Sequence, residues 1–316
     1  MTRSILITGG LGFIGSYAAE AFRDDGWEVT ILDDRRAALL DEPPEGVEFM
    51  EGSCEEMDPM VRKWIIGSAP SRVTRILHCA SPVGPGAIAQ ADYSVTTEIV
   101  RPAIAVTETA RSMGIPLIFI STSEVYGSSG ICYEADDCVL PAGSAPRLEY
   151  AIGKLAAEKI SLRADSTIVR PFNVTGARQD SSKGFVVPNL IEQAIEQKPL
   201  SVFEPGTQKR AIMAIGDLCE ALIRIAHRQP GLIFNIGAPE NQTSILDLAK
   251  LIIEELGSFS EIEIIDGRDK WGSRWTEAAG FHKLPGIERA ERILGWKPEI
   301  DLPEIIHSVA AEFISA

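Results

Sequence analysis

The sequence predicts an α/β fold in which a doubly wound parallel sheet is followed by a smaller C-terminal α/β lobe. Three observations carry this. Short β-branched runs alternate with amphipathic helical stretches through the first half, the pattern of parallel βαβ units. A glycine-rich turn directly follows the first apolar run. The 316 residues, 45% apolar, 24% charged and 7% aromatic, give enough chain to bury a core without metal or disulfide staples.

Taken in order, Ser4 to Thr8, Glu28 to Leu32, Val47 to Met50, Arg75 to Cys79, Pro116 to Ser121 and Ser166 to Arg170 read as strands. Apolar residues recur at three- and four-residue spacing in Ile14 to Arg23, Asp58 to Ile66, Val95 to Met113 and Tyr150 to Leu162, which predicts the crossover helices. After Arg170 the rhythm loosens. A helix from Val187 to Gln197, a strand at Leu200 to Phe203, a helix from Asp217 to His227 and an extended Leu232 to Ile236 follow. A helix from Ser244 to Leu256, with Thr243 or Ser244 as its N-cap, and two terminal helices, Ile287 to Leu294 and Leu302 to Ile314, complete the chain.

Thirty Lys and Arg against 45 Asp and Glu give a formal net charge of −15 and a pI near 4.8. Such a field repels a phosphate backbone, so nucleic acid is excluded as a partner, and any anionic ligand needs a few locally focused cations. The cysteines at 54, 79, 132, 138 and 219 are odd in number and form no C-x-x-C, which fits buried thiols in a reducing compartment. The four histidines show no metal-ligand spacing, so no metal is expected. MTRSILITGG lacks the apolar stretch of a signal peptide and no run of 18 apolar residues occurs, so a cytoplasmic protein without membrane contact is expected.

Thr8-Gly9-Gly10-Leu11-Gly12-Phe13-Ile14-Gly15 leaves the first strand and opens a helix. Glycines 9, 12 and 15 permit a tight turn and close backbone approach, and the helix N-terminus offers N–H donors to a pyrophosphate. Asp33 ends the second strand about 20 residues on, where a carboxylate accepts from a ribose diol. This is the signature of a Rossmann-type dinucleotide site. Asp33 favours NAD over NADP, although Arg35 and Arg36 are also residues by which a 2′-phosphate is accommodated. Ser53, after the third strand, reads equally as an adenine contact or a strand terminus.

Tyr150 and Lys154 lie one turn apart on one helix face, where an ammonium favours the phenolate and suits the tyrosine to acid/base work. The fifth strand ends in Ser121-Thr122-Ser123-Glu124-Val125-Tyr126-Gly127, setting hydroxyls and a carboxylate at the carboxyl edge of the sheet, where ligands of such folds bind.

With TGGLGFIG, STSEVYG, YAIGK, Arg170-Pro171-Phe172-Asn173-Val174-Thr175-Gly176, Gln208-Lys209-Arg210 followed by Asp217, and Leu294-Gly295-Trp296-Lys297-Pro298, the whole chain resembles the extended short-chain dehydrogenase/reductase superfamily acting on nucleotide-diphosphate sugars. The resemblance implies a triad of Thr122, Tyr150 and Lys154 around the sugar C4 hydroxyl, with Asn173 and Arg210 on the substrate's diphosphate. Within the superfamily, STSEVYG, RPFN, TQKR and FNIGAPEN look most like UDP-glucuronic acid decarboxylases. Dehydratases carry an Asp where this chain has Ser123, and simple 4-epimerases usually lack Glu124. The implied cofactor contacts are Gly9, Gly12, Phe13, Ile14, Gly15, Asp33, Asp34, Arg35, Ser53, Cys54, Ala80, Tyr150 and Lys154. The implied substrate contacts are Ser81, Thr122, Glu124, Asn173, Arg178, Arg210 and Lys283, with Ser123 and Glu124 added to the catalytic group. The family pattern also implies a homodimer paired through the helices Val95 to Met113 and Tyr150 to Leu162.

Three positions depart from the decarboxylase pattern. His282-Lys283-Leu284-Pro285 replaces Arg-Lys-Pro, keeping a charge but losing a bidentate fork; Pro102-Ala103 replaces a usual Asn; and Ala211-Ile212 replaces an aromatic after Arg210. Residues 1–170, with 211–236 returning to them, are expected to form the NAD-binding domain, and 171–210 with 237–316 the nucleotide-sugar lobe. Each assignment has a quieter alternative. Glu124 also reads as a loop acceptor, Lys283 as a solvated surface charge, and Arg178 equally as a phosphate contact or an exposed cation. Tyr126 and His78 read as walls of the site, and Trp271 and Trp275 as core filling. A 4-epimerase acting on UDP-glucuronate, and a non-catalytic NAD-binding regulator, are the rival functions.

Overall fold

The computed structural model describes residues 3–56, 73–91, 93–127, 130–136, 138, 140, 146–271 and 283–315. The helix expected at 58–66 and the side chains of Trp271 and Trp275 lie outside the described residues. Among the described residues fifteen strands run in chain order as β1 (Ser4–Thr8), β2 (Glu28–Asp33), β3 (Glu48–Glu51), β4 (Arg75–His78), β5 (Leu117–Ile120), β6 (Gly130–Cys132), β7 (Thr167–Pro171) and β8 (Val174–Thr175). They continue as β9 (Leu200–Phe203), β10 (Lys209–Ala211), β11 (Met213–Ala214), β12 (Ile233–Ile236), β13 (Gln242–Ser244), β14 (Ile262–Ile265) and β15 (Lys283–Pro285).

Seven of them form one parallel sheet in the order β12-β7-β5-β4-β1-β2-β3. The order reverses beside β1, the topological switch point at which ligands of open α/β sheets bind. Continuous apolar strands such as β1 and β5 are fully buried because helices cover both faces. On one face the helices Phe13–Asp24 and Ile215–Ala226 pack together over Ile5, Ile7, Val169 and Phe234. On the other, Val95–Met113 packs along Pro146–Ser161.

The short strands β6, β10, β13 and β15 make a second sheet in the order β13-β10-β15-β6, and β14 pairs with β9. Two or three residues are too few to show a period, so β6, β8, β10, β11, β13 and β15 leave no pattern in the sequence. The helices Val186–Ile195, Ile245–Leu256 and Leu302–Ser315 enclose a separate core around Leu190, Leu248 and Ile306. Ser244 is the N-cap, its hydroxyl accepting from the Asp247 N–H at 3.0 Å. Asp217 is buried and accepts from the Glu299 and Ile300 N–H groups, while its carbonyl takes the Trp296 indole N–H at 3.1 Å, which fastens the C-terminal segment to the sheet's helices. Among the described residues no helix is long and apolar enough to cross a membrane.

Candidate active site

Gly9 takes φ +68°, a left-handed conformation, and a Cβ there would lie 2.6 Å from the Ala80 nitrogen. A Cβ on Gly15 would collide with the Gly9 carbonyl, so the turn from β1 into the Phe13–Asp24 helix closes only around glycine. Gly10, which the spacing argument passes over, is equally constrained: its Cβ would run into the Ile31 side chain. Gly12 caps the helix without a side-chain acceptor, which leaves the first-turn N–H groups of Phe13 and Ile14 with no side-chain cap.

Asp33 is buried at the end of β2, its two carboxylate oxygens accepting from the Leu11 N–H at 3.0 Å and the Arg35 N–H at 2.8 Å. Each oxygen retains a second lone pair. The two arginines that complicate the cofactor's identity are already committed. Arg35 donates to Glu51 at 3.2 Å and to the Asp41 carbonyl, and lies over the Phe49 ring; Arg36 donates to Asp34 at 2.7 Å and Glu98 at 3.2 Å. Ser53 accepts from the Glu55 N–H at 3.2 Å, beginning a short turn over Cys54–Glu56. Cys54 is buried against Leu6 and Leu32, with its thiol pushed up to about 12 by burial.

Gly153 lets the Pro146–Ser161 helix lie close to its neighbour: a Cβ would meet Ile99 at 3.0 Å and Thr96 Cα at 3.1 Å. Glu149 pins the start of that neighbour, accepting from the Ser94 hydroxyl at 2.9 Å and the Thr96 N–H at 3.2 Å. Lys154 is buried. Its Nζ donates to the Ile120 carbonyl at 2.9 Å and lies 5.9 Å from the Tyr150 ring centroid. Burial pulls its pKa down to about 8, with Cys79 and Glu158 opposing. Tyr150 is half-buried above it. Thr122 accepts from the Glu124 N–H at 3.2 Å and starts the turn Ser123–Tyr126, in which Ser123 is buried. His78, at the end of β4, is buried with Nδ1 2.6 Å from the Thr8 hydroxyl; burial and then the charge of Lys154 push its pKa down to about 3, so it is neutral.

The Glu124 carboxylate accepts from Lys283 Nζ at 2.8 Å, and Lys283 is buried, so it is not the solvated surface charge of its quieter alternative. Register adds a second cation, because Lys283 on β15 stands opposite Arg210 on β10. Asn173, in the left-handed region at φ +42°, donates from Nδ2 to the Ala211 carbonyl at 3.3 Å and lines one cleft with Arg210, Gln208 and Phe203. Arg178 lines a different cleft, against Leu39 and Phe313. Its guanidinium donates to both Glu20 oxygens at 2.7 and 2.9 Å and to Ser16 at 3.3 Å, and lies 4.3 Å from the Tyr17 centroid, so it is not a freely exposed cation: it clamps the loop after β8 to the Phe13–Asp24 helix. Ser81 donates to the Pro82 carbonyl at 3.1 Å.

Beneath the site lies a buried polar network that the sequence reading does not include. Glu158, one turn beyond Lys154, accepts from Ser121 at 2.5 Å and takes a bidentate pair from Arg170 at 2.9 and 2.7 Å. Arg170 also donates to the Tyr126 hydroxyl at 2.9 Å, and Tyr126 donates to Asn235 Oδ1 at 2.7 Å. Burial pushes the Tyr126 phenol up to about 12, so it keeps its proton. The spacing Tyr150, Lys154, Glu158 puts Glu158 on the helix face of Tyr150 and Lys154 and is a usable signal; nothing local in the sequence points to Asn235.

The fold is shared widely. UDP-glucose 4-epimerase from Thermotoga maritima superposes with TM-score 0.85 at 22% identity over 99% of both chains. dTDP-glucose 4,6-dehydratase from Bacillus anthracis superposes with TM-score 0.82 at 20% identity, over 99% of this chain and 97% of that one. In sequence, the chain is 29% identical to UDP-glucuronic acid decarboxylase 1 of Danio rerio over 320 residues, covering 98% of this chain and 72% of the relative. Residues 5–237 match the model of the NAD dependent epimerase/dehydratase family, and the chain belongs to that family of enzymes.

Proposed function

We propose that this enzyme decarboxylates UDP-glucuronic acid through a 4-keto intermediate, giving UDP-xylose or the UDP-4-keto-pentose. The observation that carries the reading is the ion pair of Glu124 with Lys283, held in register with Arg210: it supplies cations for a sugar carboxylate and a diphosphate in an otherwise acidic protein. Ser123 in place of an aspartate and the sequence likeness to a decarboxylase support the same choice.

The residues present fit NAD. Only glycine closes the cradle at positions 9 and 15, Gly12 opens the helix without a capping side chain, and Asp33 retains acceptor capacity for a ribose diol. The engagement of Arg35 and Arg36 by acidic partners favours NAD over its 2′-phosphorylated form. When bound, NAD supplies the acceptor for the C4 hydride. Tyr150 takes the C4 hydroxyl proton, Lys154 stabilises the phenolate from below, and Thr122 fixes the hydroxyl, since its oxygen accepts from Glu124 N–H and its own proton is left to donate. The resulting ketone is β to the C5 carboxylate, so carbon dioxide leaves with its electrons delocalised into an enolate. Lys283 orients the carboxylate, and Ser123 and Glu124 govern proton return to C5; return of the hydride to C4 would give UDP-xylose, and release of the reduced cofactor would leave the UDP-4-keto-pentose.

Residues 1–170 with 211–236 serve as the cofactor domain in this reading, and 171–210 with 237–316 as the substrate lobe. A homodimer would cover Ile104 and Ile152, exposed at 45% and 46% on the paired helices. The five unpaired cysteines fit a cytoplasmic setting. Incubation with NAD and UDP-glucuronic acid tests the function: released carbon dioxide and a pentose product by NMR are expected. A galacturonate product without carbon dioxide would establish the 4-epimerase instead.

A further inference from the structure

Asn235 has no surface exposure and sits on β12, a strand that bears no residue assigned to chemistry, yet its amide reaches toward both halves of the Glu124–Lys283 pair. On one side Oδ1 accepts from the Tyr126 hydroxyl at 2.7 Å, and Tyr126 closes the short turn that bears Glu124. On the other, Nδ2 donates to the Cys132 carbonyl at 2.8 Å and the Gly286 carbonyl at 3.3 Å. Cys132 ends β6, Gly286 follows β15, and β6 flanks β15 in register, with Lys283 opposite Gly130. The two arms of one amide therefore fix the two segments whose side chains meet 2.8 Å apart.

The amide's orientation is forced by chemistry. The Cys132 and Gly286 carbonyls only accept, so the side of the amide that faces them is Nδ2. Oδ1 is thereby turned to Tyr126, whose hydroxyl accepts from the donor-only Arg170 and sends its own proton to that oxygen. The chain of obligation begins at the Glu158–Arg170 pair, and Glu158 belongs to the helix of Tyr150 and Lys154.

We propose that Asn235, through Tyr126, is a positioning residue that sets Lys283 against Glu124 and so serves the carboxylate step rather than the hydride step. The proposal rests on the decarboxylase reading above. Asn235→Asp keeps the shape and the Tyr126 arm but turns an oxygen towards the two carbonyls. Tyr126→Phe cuts the other arm and adds no charge. In single-turnover mixing of enzyme, NAD and UDP-glucuronic acid, the 340 nm rise is followed beside carbon dioxide release. Both variants are expected to keep the rate and amplitude of the 340 nm rise within about twofold and to release carbon dioxide about tenfold more slowly, so that NADH accumulates ahead of gas. Melting curves identify a variant that fails to fold, and the second variant then decides. Equal loss of both signals in a folded variant, or loss of neither, overturns the positioning role. Wild-type enzyme that forms no carbon dioxide overturns the decarboxylase reading itself and the inference with it.

Discussion

At the end proposed to take the cofactor the groups are largely main chain: a turn that only Gly9 and Gly15 can close, a helix start without a side-chain cap, and one carboxylate, Asp33, whose position two backbone N–H groups hold. At the end proposed to take the sugar the groups are side chains meeting from far apart in sequence, Glu124 with Lys283, Glu158 with Arg170, Tyr126 with Asn235. The first end is set by local geometry and tolerates no added atom. The second is set by charge pairing and hydrogen-bond direction across three strands, a helix and a turn, and a change far from the substrate reaches it.

Substitutions at the two ends should act differently. Tyr150→Phe should have the largest effect, lowering the first oxidation by about 10²–10⁴-fold at 340 nm while leaving NAD affinity within a few fold; retained activity would relocate the acid/base group. Arg170→Leu leaves Glu158 buried with Ser121 as its remaining partner from the network, and should cost about 3–5 kcal/mol in denaturant unfolding. Leucine at both 158 and 170 should recover much of that loss. Gly15→Ala, at the other end, should cost about 1–3 kcal/mol by overpacking and weaken NAD binding in calorimetry, without altering the pH profile of turnover. Arg36→Ala should change stability by less than about 1 kcal/mol and leave NAD preferred, because its pairs with Asp34 and Glu98 are exposed.

Acidification separates the ends in a different way. His78 is held at about 3 against an ordinary value of 6.5, so the unfolded chain binds the proton that the folded one refuses. Stability should therefore fall as pH drops from about 6.5 towards 3, and be flat in this group above 6.5. Thermal melts of wild type and His78→Gln across that window check the slope, which the variant should reduce.

What could be read in advance follows the same division. The glycine turn, Asp33 and the Tyr150, Lys154 pair are short-range patterns, and the main-sheet strands carry enough apolar residues to show themselves. Gly10 was missed because its constraint is Ile31, a neighbour only once β2 lies beside β1. In the sequence Arg178 reads equally as two roles because nothing local reveals that Glu20 waits across the fold. The Glu124–Lys283 and Arg210–Lys283 relations depend on β15 and β10, strands of three residues with no period to read.

The burial of Lys154 and Lys283, at 4% and 6% exposure, also has a kinetic consequence. Their charges are felt inside the cleft but are outweighed at a distance by a net charge of −15. An anionic substrate of the class proposed here is repelled during diffusional approach and attracted only in the last few ångströms. Its encounter rate should accordingly rise as salt shortens the reach of the repulsion, the opposite of the steering seen where cations line an open surface.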